Sequence, residues 1–171
     1  MDYGDAMHHA ERTSILYAEH RQGLFTLALS IVRDAAAAED AVHDGVHRVL
    51  ARAKPPEGDP VAFLYAAVRN AAIDATRRAK VRAARPADGT ICDDRMPDPA
   101  LRAEDREAVI RMRQAIHALA PEQQEVILLR SVARLGFEQV AEVVGAPVGT
   151  VAARYSRAVS ALRQQMTEVT R

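Results

Sequence analysis

The sequence predicts an all-α protein, built as two small helical domains joined by a flexible acidic linker. Ala, Val, Leu, Arg and Glu dominate the 171 residues, aromatics make up 4% and Trp is absent. Ala and straight-chain residues lose little side-chain entropy in a helix. No stretch alternates apolar and polar residues between turn signals, as a half-buried strand would. Between Pro86 and Pro99 lie a Gly and four aspartates with little apolar content, the composition of a linker.

Taken in order, residues 1–11 are polar and are expected to fray. From Thr13 to Val32, Ile15, Leu16, Leu24, Leu27, Ala28 and Ile31 predict a helix with one buried side, which Gly23 weakens modestly. A second helix is expected from about Ala35 to Ala53, with Val42, Val46, Val49 and Leu50 as its buried stripe. Lys54-Pro55-Pro56-Glu57-Gly58 breaks the chain. Asp59 then suits a helix cap, with Pro60 at the first helical position, where a missing N–H costs nothing. That third helix is expected to reach about Arg82, buried early through Phe63, Leu64, Ala67 and Val68, and basic late. The domain limits follow: 12–85, a linker over 86–102, and 103–167.

The second domain opens with an amphipathic stretch, Ala103–Leu119, carrying Val109, Ile110, Ala115 and Ile116. Pro121 starts another helix with Val126, Ile127, Leu128 and Leu129. A short helical pattern from Leu135 ends at Gly145 and Pro147, and a second pattern begins at Val148. Gly suits the bend after a helix and Pro the start of the next. Val140, Val144 and Val151 can pack the two helices together, leaving Arg154 and Arg157 to reach outward. That is a helix-turn-helix, whose second helix enters a DNA major groove.

Formal net charge is zero, from 23 basic and 23 acidic residues, but the charges are segregated. From Phe63 to Arg85 the bases are Arg69, Arg77, Arg78, Lys80, Arg82 and Arg85, against Asp74 alone. From Gly149 to Arg163, Arg154, Arg157 and Arg163 meet no acid, whereas Pro86–Asp105 is acidic. Local patches of this kind govern nucleic-acid steering. On the third helix Asn70, Asp74 and Arg77 fall at i, i+4 and i+7, with Arg78 beside them, a stripe suited to phosphates and base edges. Its bland alternative is a solvated helix end with ordinary ion pairs.

His43-Asp44-Gly45-Val46-His47 brings HExxH to mind, but Asp is shorter than Glu and no third ligand is evident, so no metal site is expected. No Walker loop, dinucleotide loop or nucleophile set appears, so neither an enzyme nor a cofactor is expected. Cys92 stands alone and forms no intrachain disulfide. Polar first residues and the lack of a long apolar run predict no signal peptide, no membrane insertion and a cytoplasmic protein.

In order, these pieces resemble a bacterial RNA polymerase sigma factor of the extracytoplasmic-function type, from about Ser14 to Arg163. The resemblance rests in region 2 on Ala38-Glu39-Asp40-Ala41-Val42-His43-Asp44, Phe63-Leu64, Asn70, Asp74 and Arg77-Arg78. In region 4 it rests on Leu119-Ala120-Pro121, Gln139-Val140-Ala141 and Gly149-Thr150-Val151. It implies a transcription initiation factor that binds core RNA polymerase, through the β′ clamp helices and the β flap, and directs it to promoter DNA. Glu39, Asp40, His43 and Asp44 would dock on the clamp helices. Asn70, Asp74, Arg77, Arg78 and Lys80 would engage and help open the −10 element, and Thr150, Arg154, Tyr155 and Arg157 would read the −35 element. An anti-sigma factor is a further partner the family implies.

The chain departs from the family pattern at Ala152-Ala153, where Lys-Ser is frequent, which removes a phosphate-pairing cation. His43 stands for a Gln, Val46 for an aromatic residue and Gln124 for an Arg. These changes leave open a sigma-like adaptor that captures an anti-sigma protein without directing promoters. A stand-alone helix-turn-helix regulator is the other alternative, disfavoured by the separate basic third helix.

Overall fold

The computed structural model describes residues 3–52, 57–82 and 103–168. These residues form seven helices: α1 (Tyr3–Val32), α2 (Ala35–Leu50), α3 (Pro60–Arg82), α4 (Ala103–His117), α5 (Pro121–Ser131), α6 (Phe137–Val144) and α7 (Val148–Glu168). The expected linker, 86–102, and Cys92 lie outside the described residues. Among the described residues no helix is long and apolar enough to cross a membrane.

Local chemistry sets most helix ends. Arg33 turns the chain between α1 and α2 with a left-handed φ of 61°, and Asp34 caps α2 by accepting the Ala37 N–H at 2.8 Å. Asp59 Oδ1 caps α3 by accepting the Val61 and Ala62 N–H groups, both at 2.9 Å. Gly145 ends α6 with φ 66°, a conformation that a Cβ disfavours. Asp59 at the cap and Pro60 at the helix start are as expected, and so are Pro121 opening α5 and the break at Gly145-Ala146-Pro147.

The first helix departs from expectation at its start. It is helical from Tyr3 rather than frayed to residue 11. His9 is buried and its Nε2 lies 3.1 Å from the Val49 carbonyl, while buried Thr13 bonds the His9 carbonyl. The buried face of α1 runs through His9, Thr13, Leu16, Leu24 and Leu27, at helical spacing. Ile15 lies one residue, or about 100° of rotation, off that face and is 52% exposed, so it is not core. Leu50 and Ile110, also expected inside, are exposed as well.

One core joins both halves of the chain: Leu24, Leu27, Val42, Leu64, Tyr65 and Val68 from α1–α3 share a cluster with Val126, Leu129, Val140 and Val151. A smaller cluster of Leu119, Ile127 and Ala158 binds α7 to the start of α5. Helices α2 and α3 meet through small residues. A Cβ on Gly45 would stand 2.6 Å from Val68 Cα, so only glycine permits that approach. Gly23 has the same role on α1, where a Cβ would fall 2.2 Å from the Tyr65 hydroxyl. Both glycines weaken a helix locally, and tertiary packing explains their presence.

Candidate nucleic-acid and polymerase interface

Helix α3 is held at its base by Asp59 and by burial of Leu64, Tyr65, Val68, Ala71 and Ala72, and its last two turns then run clear of the core. Arg77, Arg78 and Lys80 are exposed there; one to two turns earlier, Asn70 is exposed and Asp74 is half-buried. Two cross-helix ion pairs organise this stripe. Arg48 of α2 reaches Asp74 Oδ2 at 3.2 Å, and Arg78 Nη2 lies 3.8 Å from Asp44 Oδ2. Arg78 Nε also donates to the Asp74 carbonyl at 3.3 Å. All four side chains of the two pairs are close to half exposed, so each pair orients its partners more than it stabilises the fold.

Sequence reasoning missed Arg48 because its partner, Asp74, lies 26 residues away. It also counted Arg69 with the basic patch. The structure turns Arg69 inward, to a half-buried pair with Glu125 of α5 at 2.5 Å, so it is not part of that surface.

Glu39, Asp40, His43 and Asp44 are all exposed on α2, as one acidic face. Glu39, Asp40 and His43 form one wall of a groove whose other wall is Tyr17, Arg21, Gln22 and Phe25 of α1. A second groove, between α2 and α3, is lined by Asp40, His43 and Asp44 with Arg78. The two surfaces that sequence reading kept apart are therefore contiguous, with Asp44 and Arg78 at their junction. The His43 and His47 rings are 6.1 Å apart, and among the described residues no group of three His, Cys, Asp or Glu side chains could hold a metal.

In α7, Thr150 sits exposed in the first turn, Arg157 is exposed and Arg154 is half-buried. Val151 and Ala158 are fully buried, which fixes the opposite face of the helix on the core. Tyr155 is committed to packing: its ring meets Phe137 edge-on at 5.6 Å. The Arg130 guanidinium lies 4.5 Å from the Phe137 centroid and 5.9 Å from that of Tyr155, a cation–π stack from α5. Arg130 Nη1 donates to the Leu135 carbonyl, and its buried Nε has no hydrogen-bond partner. This stack, with no sequence signature, joins α5, α6 and α7 at the flank of the turn. Buried Gln124 likewise ties α5 to the end of α4 by donating to the Ile116 carbonyl at 3.2 Å.

Known proteins share this order of two helical regions. Family profiles for sigma-70 region 2 and sigma-70 region 4 match residues 16–82 and 101–162. The ECF RNA polymerase sigma factor SigL of Mycobacterium tuberculosis is 32% identical over 97% of this chain and 95% of its own length. Among solved structures, the sigma factor RpoE of Bartonella quintana, in complex with the anti-sigma factor NepR, superposes with a TM-score of 0.62 at 21% identity. The match covers 88% of this chain and 95% of that one. CnrH, in complex with the cytosolic domain of CnrY, gives a TM-score of 0.62 at 21% identity over 95% of both chains. At that identity these two neighbours speak to the fold alone. With two region profiles in order and a full-length relative above 30% identity, the chain belongs to the extracytoplasmic-function RNA polymerase sigma factors, the initiation factors that bring core polymerase to promoters.

Proposed function

We propose a division of labour among the three surfaces. The exposed face of Glu39, Asp40, His43 and Asp44 docks on the polymerase clamp helices. The end of α3 (Asn70, Asp74, Arg77, Arg78 and Lys80) holds the −10 element, where separated strands need a cationic rail for their backbone. Thr150, Arg154 and Arg157 of α7 read the −35 element in the major groove. Tyr155 serves that reading by orienting α7 through its stack with Phe137. The units that do this are residues 12–85 and 103–167, and catalysis stays with polymerase in the cytoplasm. The carrying observation is that each half turns a helix bearing arginines toward solvent, and that the one on α3 adjoins the acidic face of α2 at Asp44 and Arg78.

Run-off transcription with core polymerase on a genomic promoter library tests the reading. New start sites that share upstream motifs are expected only when the protein is added. Core binding without new start sites would favour a second reading, an adaptor that captures an anti-sigma factor. Half-buried Ala152 and Ala153, which place no cation or hydroxyl at the start of α7, motivate that alternative.

A further inference from the structure

Asp74 is the only acid between Phe63 and Arg85, in the middle of a surface otherwise suited to DNA. A bare carboxylate beside a phosphate would repel it. Asp74 is not bare. Its Oδ2 accepts from Arg48 Nη1 at 3.2 Å, across the gap between α2 and α3. That gap is narrow because Gly45 lies against Val68.

The Arg48–Asp74 pair is the middle one of three contacts along this seam. Asp44, Arg48 and Arg52 follow one another four residues apart, in the second half of α2 and just beyond its end. Asp44 faces Arg78 at 3.8 Å and Arg48 faces Asp74. The Arg52 guanidinium lies 4.9 Å from the centroid of the Phe63 ring. On α3, Phe63, Asn70, Asp74 and Arg77 stand at i, i+7, i+11 and i+14, all within about 40° of the direction of Phe63. The α3 stripe therefore borders two exposed arginines of α2, Arg48 and Arg52.

The two ion pairs of the seam differ in kind. Arg78 has an anchor on its own helix, the Asp74 carbonyl at 3.3 Å, and Asp44 stands beyond hydrogen-bond reach. Arg48 starts from the neighbouring helix and reaches α3 through the Asp74 carboxylate. That bond uses one of the five N–H donors of a guanidinium, and the Arg48 side chain is 49% exposed, so the rest of the fork faces water. An exposed pair of this sort adds little to stability. It does hold in place a long side chain that a ligand would otherwise have to immobilise at an entropic cost.

We propose that Arg48 contacts the backbone phosphates of the single-stranded −10 DNA, and that Asp74 touches no DNA but positions Arg48 for that contact. The strand then runs along the α2–α3 seam and is gripped from both helices. This deepens the −10 role proposed above for α3 and rests on it.

The sign of one substitution separates positioning from plain electrostatics. Removing an acid that merely faces DNA tightens binding, whereas removing the anchor of a DNA-contacting arginine weakens it. A fluorescent single strand of randomised sequence is a suitable probe, because phosphate contacts carry no sequence information. It is titrated with polymerase reassembled with the full-length protein, core polymerase alone giving the baseline. Arg48→Ala should weaken binding about fivefold, and the slope of log affinity against log salt should become shallower by about 0.7. Asp74→Ala should weaken it by a similar factor, although the protein becomes more positive. The double variant should bind as Arg48→Ala does. Asp74→Asn, whose amide oxygen still accepts from Arg48, should lose less than Asp74→Ala. Tighter binding by Asp74→Ala, or losses that multiply in the double variant, would overturn the positioning role. Wild-type affinity and salt slope in Arg48→Ala would overturn the contact and leave the −10 role of α3 standing. A wild-type holoenzyme that binds the strand no better than core alone would overturn that role, and this inference with it.

Discussion

The two helices proposed to face DNA are both basic but are anchored differently, and their cations differ in whether they are already paired. Helix α3 lies on α2 by backbone proximity at Gly45 and Val68, and its outward groups are already paired across the helix gap, Asp74 with Arg48 and Arg78 with Asp44. Helix α7 is seated by side chains, Val151 and Ala158 beneath it and the Arg130–Phe137–Tyr155 stack at its flank. Among the described residues no ion pair engages Arg154 or Arg157. The difference teaches that region 2 couples its functions, because an acid assigned to polymerase docking holds a cation assigned to DNA. Region 4 presents uncommitted cations on a rigid support, as direct major-groove reading requires.

The largest effect is expected from Arg154→Ala combined with Arg157→Ala. Two lost base or phosphate contacts of about 1–3 kcal/mol each should lower −35-dependent transcription on the order of 100-fold, with core-polymerase affinity unchanged. Loss of core binding in that variant would break the comparison, since α7 would then serve polymerase as well.

Next comes Gly45→Ala. Overpacking against Val68 should cost about 3 kcal/mol, against a gain of about 1 kcal/mol in helix propensity. Chemical denaturation should show a net loss of about 2 kcal/mol. A stabilised variant would mean that α2 and α3 do not approach this closely.

Arg130→Ala should destabilise region 4 by about 1–2 kcal/mol through the lost stack and weaken binding to −35 duplex in parallel. Arg130→Lys should not restore it, because a compact, strongly hydrated ammonium does not replace a delocalised guanidinium against aromatic rings. Full rescue by Lys would reduce the stack to a simple charge effect.

The smallest change is expected from Asp44→Ala. Breaking an exposed pair should move stability by less than ~0.5 kcal/mol. Released Arg78 should nevertheless bind single-stranded −10 DNA slightly better, by up to about twofold in fluorescence titration at low salt. Weaker DNA binding would show that the pair orients Arg78 for DNA rather than competing with it.

Much of this was legible in the sequence, because it rests on local chemistry. Asp59 and Pro60 mark the start of α3, and Gly145 and Pro147 mark the helix-turn-helix, since caps and breakers act within one turn. That Asn70 and Arg77 share an exposed face, with Arg78 beside it, follows from helical spacing alone. Tertiary structure decided whatever depends on residues distant in the chain. Ile15 and Leu50 look like core but fall outside the faces their neighbours cover, whereas polar His9 and Thr13 are buried because their hydrogen bonds are satisfied at Val49 and within α1. Arg69 reads as one more surface cation until Glu125, 56 residues on, takes it. Periodicity reports which side of a helix is apolar. It carries no information on which helix, turned at what angle, will cover that side, and here that pairing joins the two halves into one core.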